Sequence, residues 1–323
     1  MSIDQLFIIG LFSFAIIAPI AIIVTIIVIE HMQYKNSSYY QITKLPYRAI
    51  KYDKGRFGEY FIYKQLQGFE LSGTKFLFNL YIPKLNGETT EIDIVMINSK
   101  GVFVIESKNY GGWIFGSEHQ KYWYQTLPQS QSECHKERFY NPIMQNRGHL
   151  NHLKTLIGDT FKFHSIIAFS GRSVFKNVDI KSTDIGIVNG YNVFHYVSYI
   201  INTHSDSLTQ NDIDAVYNIL FPYTQVDTSL KNQHISNIQN YTSTVQVNPY
   251  SSNILKNNIV TTTNVDCHAP SGKQIEEKAS SQTNRCPICN GELVVKTAIK
   301  GVYKGSKFYG CANYPKCHYI QNK

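Results

Sequence analysis

The chain is short of acidic residues and of cysteines, and both shortages narrow what it can be. Against 31 Lys and Arg stand only 23 Asp and Glu, a formal charge of +8 over 323 residues. That balance turns the chain toward polyanionic partners, nucleic acid or a membrane surface. Six cysteines make a poor disulfide framework at this length, and four of them fall in the last forty residues at metal-ligand spacing. A reducing compartment follows. Tyrosine, by contrast, is abundant at 23, which suits both stacking and interfaces.

A signal peptide is also missing its marks. The apolar run over residues 6–29 has no basic residue before it, no small-x-small cleavage pattern, and a length beyond the usual h-region. At roughly 1.5 Å per residue it crosses a hydrocarbon core about 30 Å thick, so the reading is a retained single-pass helix in the lipid bilayer. Lys35, Lys44, Arg48, Lys51, Lys54 and Arg56 follow the run while Asp4 precedes it. Positive-inside bias then puts the bulk of the chain on the cytoplasmic side of the cell inner membrane.

Residues 90–112 are the stretch that most needs explaining. Two β-branched runs flank a turn at 98–101, and ionisable groups interrupt them: Asp93 in the first, Glu106 and Lys108 at the end of the second. The strand period of two puts Val102, Val104, Glu106 and Lys108 on one face. Charges at the end of a buried strand are costly unless paired or bound to a metal. One reading is an ion-pair network that only fixes the fold; the other is a site.

Around this stretch the chain reads as α/β. Residues 30–45 are expected as a polar tether, and Pro46 opens the globular part. Helical spacing of Phe57, Phe61, Ile62 and Leu66 marks a helix over 55–66 that carries Glu59. Strands are expected at 76–82 and 91–97, joined through the Asn86-Gly87 turn, and at 165–170. Residues 113–140 read as a polar, aromatic segment, and 186–197 as one or two more strands. Asn141-Pro142 opens a helix with Gln145 in its first turn, and 208–220 closes the domain as another helix. Over 225–284, Asn, Ser, Thr and Gln dominate without apolar period, which predicts a flexible linker.

The tail carries the clearest chemistry. Cys286-Pro-Ile-Cys289 and the pair Cys311 and Cys317 give four thiolates, enough to close a tetrahedral structural Zn²⁺ site in a module too small for its own core. From Arg285 onward there are seven Lys or Arg against Glu292 alone. Lys304, Lys307 and Lys316 are interleaved with Phe308, Tyr309 and Tyr314, offering phosphate contacts beside stacking faces. With Cys-Pro-Ile-Cys-Asn-Gly-Glu-Leu at 286–293 and Phe-Tyr-Gly-Cys-Ala-Asn-Tyr-Pro-Lys-Cys at 308–317, the tail resembles the four-cysteine zinc finger at the C-terminus of bacterial type I topoisomerases. That resemblance implies single-stranded DNA binding; a basic ribbon that binds protein is the alternative.

Glu-Ile-Asp-Ile-Val-Met-Ile at 91–97 and Gly-Val-Phe-Val-Ile-Glu-Ser-Lys-Asn-Tyr-Gly-Gly at 101–112 resemble the nuclease-related domain, NERD. Gly-Arg-Phe-Gly-Glu at 55–59 and Asn-Pro-Ile-Met-Gln at 141–145 are similar to its flanking motifs, so the likeness spans roughly 50–160. It implies a restriction-endonuclease-like core with a mixed sheet. It also implies Asp93 and Glu106 as ligands of Mg²⁺ or Mn²⁺, Lys108 on the phosphate or base side, and supporting roles for Glu59 and Gln145. The expected organisation is a transmembrane helix (6–29), the tether, a nuclease-related domain (46–224), the linker, and a zinc ribbon (285–323). Two functions compete: a metal-dependent nuclease acting on DNA, and a non-catalytic DNA-binding scaffold at the membrane.

Overall fold

The computed structural model describes residues 3–84, 86–128, 134–247, 285–286, 291–297, 307–313 and 320–322. Four helices open the chain: α1 (Ile3–Lys35), α2 (Ser38–Thr43), α3 (Tyr47–Tyr52) and α4 (Lys54–Leu66). Strands β1 (Lys75–Pro83), β2 (Thr89–Asn98), β3 (Gly101–Lys108), β4 (Gly112–Ser117), β5 (Tyr122–Pro128) and β6 (Cys134–Tyr140) follow. Helix α5 (Pro142–Ile157) leads to β7 (Phe163–Phe169), β8 (Ser173–Asp179) and β9 (Ile185–Asn189). Helices α6 (Val193–Thr203), α7 (Gln210–Leu220) and α8 (Thr228–Val247) come next, then β10 (Leu293–Thr297), β11 (Lys307–Cys311) and β12 (Ile320–Asn322).

The fold is mixed α/β. A five-stranded sheet runs β1-β2-β3-β7-β9, antiparallel across β1, β2 and β3 and parallel across β3, β7 and β9. Being central, β3 is covered on both faces, and residues 101–106 are all buried. A parallel neighbour requires a crossover, and the long excursion from β3 to β7 supplies it through α5. Helix α5 starts where the sequence predicts. Asn141 Oδ1 accepts the Ile143 N–H at 2.9 Å, and its Nδ2 donates to the Glu118 and Gln120 carbonyls at 2.9 and 2.7 Å. The cap therefore also ties the helix to the turn after β4.

That excursion holds what the sequence reading passed over. Residues 113–140, expected as a polar aromatic segment, supply most of a second sheet, ordered β6-β5-β4-β8. The two sheets are continuous in chain: the Ser170 N–H bonds the Lys108 carbonyl at 2.8 Å and the Gly112 N–H the Arg172 carbonyl at 3.1 Å. Strands β3 and β7 thus pass side by side into β4 and β8. Gly112 makes the bend; its φ of 72° and a virtual Cβ 2.4 Å from the Thr126 carbonyl leave room for no side chain. Trp123, fully buried, fills the inner face with Ile114, Phe139 and Phe169.

Three other expectations change. Residues 30–45 hold the end of α1 and all of α2, not an open tether, because tyrosines there bury their rings. Tyr34 lies 5.2 Å from Tyr47 and from Tyr60, donates its hydroxyl to the Leu45 carbonyl at 2.6 Å, and is wholly buried, as is Tyr39. The second half of 186–197 is helix, since Val193, Val197 and Ile200 recur on one buried face of α6. Within the segment expected as a linker, α8 returns to β1 and β2, with His234 bonded to Thr89 Oγ1 at 3.0 Å and packed edge-on against Tyr81. In α1, Ile17–Lys35 is long and apolar enough to cross a membrane, and Ile20, Ile23 and Ile27 are exposed.

Glu118, in the turn after β4, fastens the second sheet to the rest. Its buried carboxylate accepts the Arg147 guanidinium at 2.5 Å, the Lys181 and Ser182 N–H groups at 3.1 and 3.0 Å, and the Ser182 hydroxyl. Hydrogen bonds from Ser182 and Arg147 hold its pKa down at about 2. A carboxylate depressed on folding stabilises above its unfolded value of about 4.3 and loses that contribution as pH falls toward the folded value. Glu118→Gln is therefore expected to lower the melting temperature at pH 7 and to flatten its decline between about pH 4.5 and 2. Parallel melting-temperature profiles for the two proteins would contradict the assignment.

Candidate active site

Asp93 and Glu106 occupy facing positions where β2 and β3 part. The ladder's last pair at that end is Ile94 with Ile105; one step on, the Ser107 N–H bonds the Asp93 side chain, at Oδ2, at 2.8 Å. On the other side of Asp93, β1 is irregular too, for Asn79 stands opposite it at φ 52°. A non-glycine residue in that region is uncommon and gathers at functional places. Glu106 and Lys108 share one sheet face by strand period, as predicted, and Asp93 stands across from Glu106 on β2.

Helix α5 covers that face. Lys108 Nζ donates to Glu106 Oε1 at 2.6 Å and to Gln145 Oε1 at 3.0 Å. His149 Nε2 lies 3.1 Å from Glu106 Oε2, and its Nδ1 lies 2.9 Å from the Thr90 hydroxyl. With Nε2–H donating to the carboxylate, the neutral ring accepts the Thr90 hydroxyl at Nδ1. Glu106 is 1 % exposed, so both of its oxygens are satisfied inside the protein.

The electrostatics divide the carboxylates into two kinds. Burial works against the charge on Glu106, yet Lys108 and the His149 hydrogen bond hold its pKa below the ordinary carboxylate range. Burial likewise opposes charge on Lys108, and Glu106 and Asp93 outweigh it, so the ammonium form is favoured. For Asp93 burial comes first and the charges of Glu106 and Glu59 add to it, raising its pKa well above the usual value. Glu59 is pushed up to about 8, by burial and then by Glu91.

Glu59 comes from the opposite side of β3. On α4, Gly58 lies against β3; a Cβ there would stand 3.1 Å from Ser107 Oγ, and Ser107 faces away from Lys108. The glycine lets α4 approach closely, while Glu59 accepts the Tyr39 hydroxyl at 3.1 Å. Glu59 therefore influences Asp93 through its field and bonds to a tyrosine that follows the apolar helix. It does not join the Glu106–Lys108–Gln145 cluster.

Oxygen donors of this kind suit Mg²⁺ or Mn²⁺, which commonly take one or two carboxylates and complete their shell with water and phosphate. Asp93 and Glu106 fit that pattern, and like charges facing each other are what a divalent cation relieves. Among the described residues, no three His, Cys, Asp or Glu side chains stand together at metal-holding spacing.

In the tail, β10 and β11 pair Leu293 with Cys311, and the Cys286 N–H bonds the Gly291 carbonyl at 2.6 Å. Cys286, Leu293 and Cys311 are buried together with Tyr309 packed on them, and the Asn313 N–H points at Cys311 Sγ at 3.4 Å. A backbone donor aimed at a buried cysteine sulfur suits a metal thiolate. Lys307 and Phe308 fall on β11; Cys289, Cys317, Lys304, Tyr314 and Lys316 lie outside the described residues.

Comparison with known proteins agrees with both halves. Residues 54–170 match the family model of the nuclease-related domain. The chain carries a NERD domain. Residues 283–323 match the topoisomerase DNA-binding C4 zinc finger, which supports a structural zinc ion held by the tail. An uncharacterized protein of Bacillus anthracis is 28% identical over 188 residues, 58% of this chain and 84% of its own length. DNA topoisomerase 1 of Methanocaldococcus jannaschii is 47% identical over 49 residues, which are 15% of this chain and only 6% of the topoisomerase. No solved structure matches the chain. The NERD match contains Glu59, Asp93, Glu106, Lys108 and Gln145, and also His149, which the sequence reading missed. Its signal was available: His149 follows Gln145 by four residues, so both lie on one face of α5.

The buried pair supplies a test independent of chemistry. Removing one partner of a buried ion pair costs about 3–5 kcal/mol, and replacing both costs much less. Lys108→Met is expected to destabilise by about that amount in urea unfolding, and Glu106→Gln, Lys108→Met together by less than the sum of the two singles. Simple additivity would show that the two side chains are not coupled.

Proposed function

We propose that the chain is a membrane-anchored, cytoplasm-facing, metal-dependent nuclease acting on DNA phosphodiester bonds. The observation that carries this reading is the Glu106–Lys108–Gln145 cluster beside Asp93, inside a domain related to nucleases. The ordered Asp, Glu-x-Lys arrangement on a mixed sheet is like that of restriction-endonuclease-type cores. A bound Mg²⁺ or Mn²⁺, held by Asp93 and Glu106, would supply charge neutralisation at the phosphate and a more acidic water. Lys108, kept as an ammonium, acts on the phosphate side and not as a base. Gln145 fixes the Lys108 side chain, and Thr90 with His149 orients Glu106 from the second side.

The zinc ribbon captures DNA, with single strands as the preferred form, and raises its concentration at the domain. The N-terminal apolar helix and the basic residues after it support anchoring in the inner membrane with the domain in the cytoplasm. A second reading, a DNA-binding scaffold, draws on one observation: both oxygens of Glu106 are engaged by Lys108 and His149.

Cleavage decides between them. Full-length protein in detergent, retained by membranes through an alkaline wash, is expected to cut DNA with Mg²⁺ or Mn²⁺ and not in EDTA. Asp93→Asn and Glu106→Gln should lower the rate by about a hundredfold or more, and His149→Ala by roughly 10–100-fold. Unchanged cutting by the first two variants, or no cutting by the parent protein with either metal, would sink the enzyme reading and leave the scaffold. Release by the wash would refute the anchor.

A further inference from the structure

The outer face of the second sheet has no role in the scheme above, and its composition is unusual. Register places Trp113, Phe115, Tyr122, Tyr124 and Tyr140 on the side away from Trp123 and the core. Tyr140 is 45% exposed, and the other four are half-buried. Basic groups lie on these rings: Lys136 Nζ is 4.4 Å from the Tyr124 centroid, the Arg138 guanidinium carbon 5.0 Å from that of Tyr122, and Lys176 Nζ 5.0 Å from that of Trp113. Lys121 Nζ also lies 5.6 Å from the Tyr122 centroid.

Among the described residues, none of these four cations makes an ion pair with a carboxylate. Glu137, between Lys136 and Arg138, belongs to the opposite face by strand period. A cavity of about 340 Å³ opens on the same face, walled by Phe115 and Tyr124 and edged by Asn177, Asp179 and Gln120. Two aromatic walls with amide and carboxylate groups at the rim match a planar, hydrogen-bonding guest. The face begins at Gly112, four residues after Lys108.

We infer that this outer sheet face, β4-β5-β6 with β8, is a binding surface for single-stranded nucleic acid. Bases stack on the tyrosines and Trp113, one base settles in the cavity beside Phe115 and Tyr124, and Lys136, Arg138 and Lys176 meet the phosphates. Charge complementarity selects a polyanion, and the ring array selects one with π-faces. This deepens the proposed function by giving the nuclease-related domain its own strand contact, separate from the ribbon.

The test is binding by the zinc-loaded protein without added Mg²⁺ or Mn²⁺, so its outcome is independent of whether the protein cleaves. Full-length protein in neutral detergent is photo-cross-linked to a short oligothymidylate and, in parallel, to oligouridylate. Cross-linked peptides are expected from β4, β5 or β6 as well as from the tail, with either oligonucleotide. The variant Lys136→Ala, Arg138→Ala, Lys176→Ala should reduce the slope of log K against log salt by about 2, three contacts at about 0.7 each. Tyr124→Leu, which keeps apolar cover, should weaken oligonucleotide binding about fivefold to a hundredfold while leaving competition by heparin unchanged. Cross-links confined to residues 285–323, or an unaltered salt slope, would overturn the inference. Loss of binding to anionic vesicles with oligonucleotide affinity intact would also overturn it and assign the face to lipid. Should a variant fold poorly, the cross-link map on the parent protein decides alone.

Discussion

A carboxylate and an ammonium buried side by side at the end of the central strand constrain everything around them. Glu106 and Lys108 are 2.6 Å apart with Glu106 almost wholly enclosed, and such a pair persists only when every remaining donor and acceptor finds a partner. Helix α5 exists in its present place to meet that requirement. Gln145 accepts a hydrogen bond from Lys108, His149 meets the second Glu106 oxygen, and Asn146 beside them donates to the Val104 carbonyl at 3.0 Å, stitching helix to strand. The cap at Asn141 sets the helix's starting point, and through it the second sheet is located relative to the first.

The same constraint gives the site its chemistry. A fold that wanted only stability would place apolar residues here, since swapping a buried ion pair for apolar groups is often neutral or favourable. Instead two carboxylates face each other where β2 and β3 part, one held ionised and one held up. Unequal neighbours of this kind are what separates roles in a site that handles charge. Asn146 keeps a buried Oδ1 with no hydrogen-bond partner in the described structure, a further sign that polar order was placed here at a cost.

Much of this was legible. Strand period alone put Glu106 and Lys108 on a common face, Asn141-Pro142 marked the start of α5, and the closing helix expected over 208–220 is α7, opened by a Thr209 capping box. What stayed hidden was tertiary. Trp123 alternates with the half-buried Tyr122 and Tyr124 on β5, whose rings lie beside Arg138 and Lys136 of β6. Tyr34 and Tyr39 read as polar but bury their rings and spend their hydroxyls on Leu45 and Glu59. Glu59 itself was expected beside the metal ligands, and its tie to Tyr39 instead links the helix that follows the apolar span to the charge balance at Asp93. Val193 to Val197 fell within the expected strands because β-branched residues satisfy either period, and only the neighbouring core chose helix.

On the proposed reading Asp93 and Glu106 together hold one divalent cation. Calorimetric titration of the zinc-loaded full chain with Mn²⁺ measures this. One further Mn²⁺ is expected to bind the parent protein and to be lost in both Asp93→Asn and Glu106→Gln, with the zinc content unchanged. Equal Mn²⁺ binding by all three proteins, or none by the parent, would contradict it.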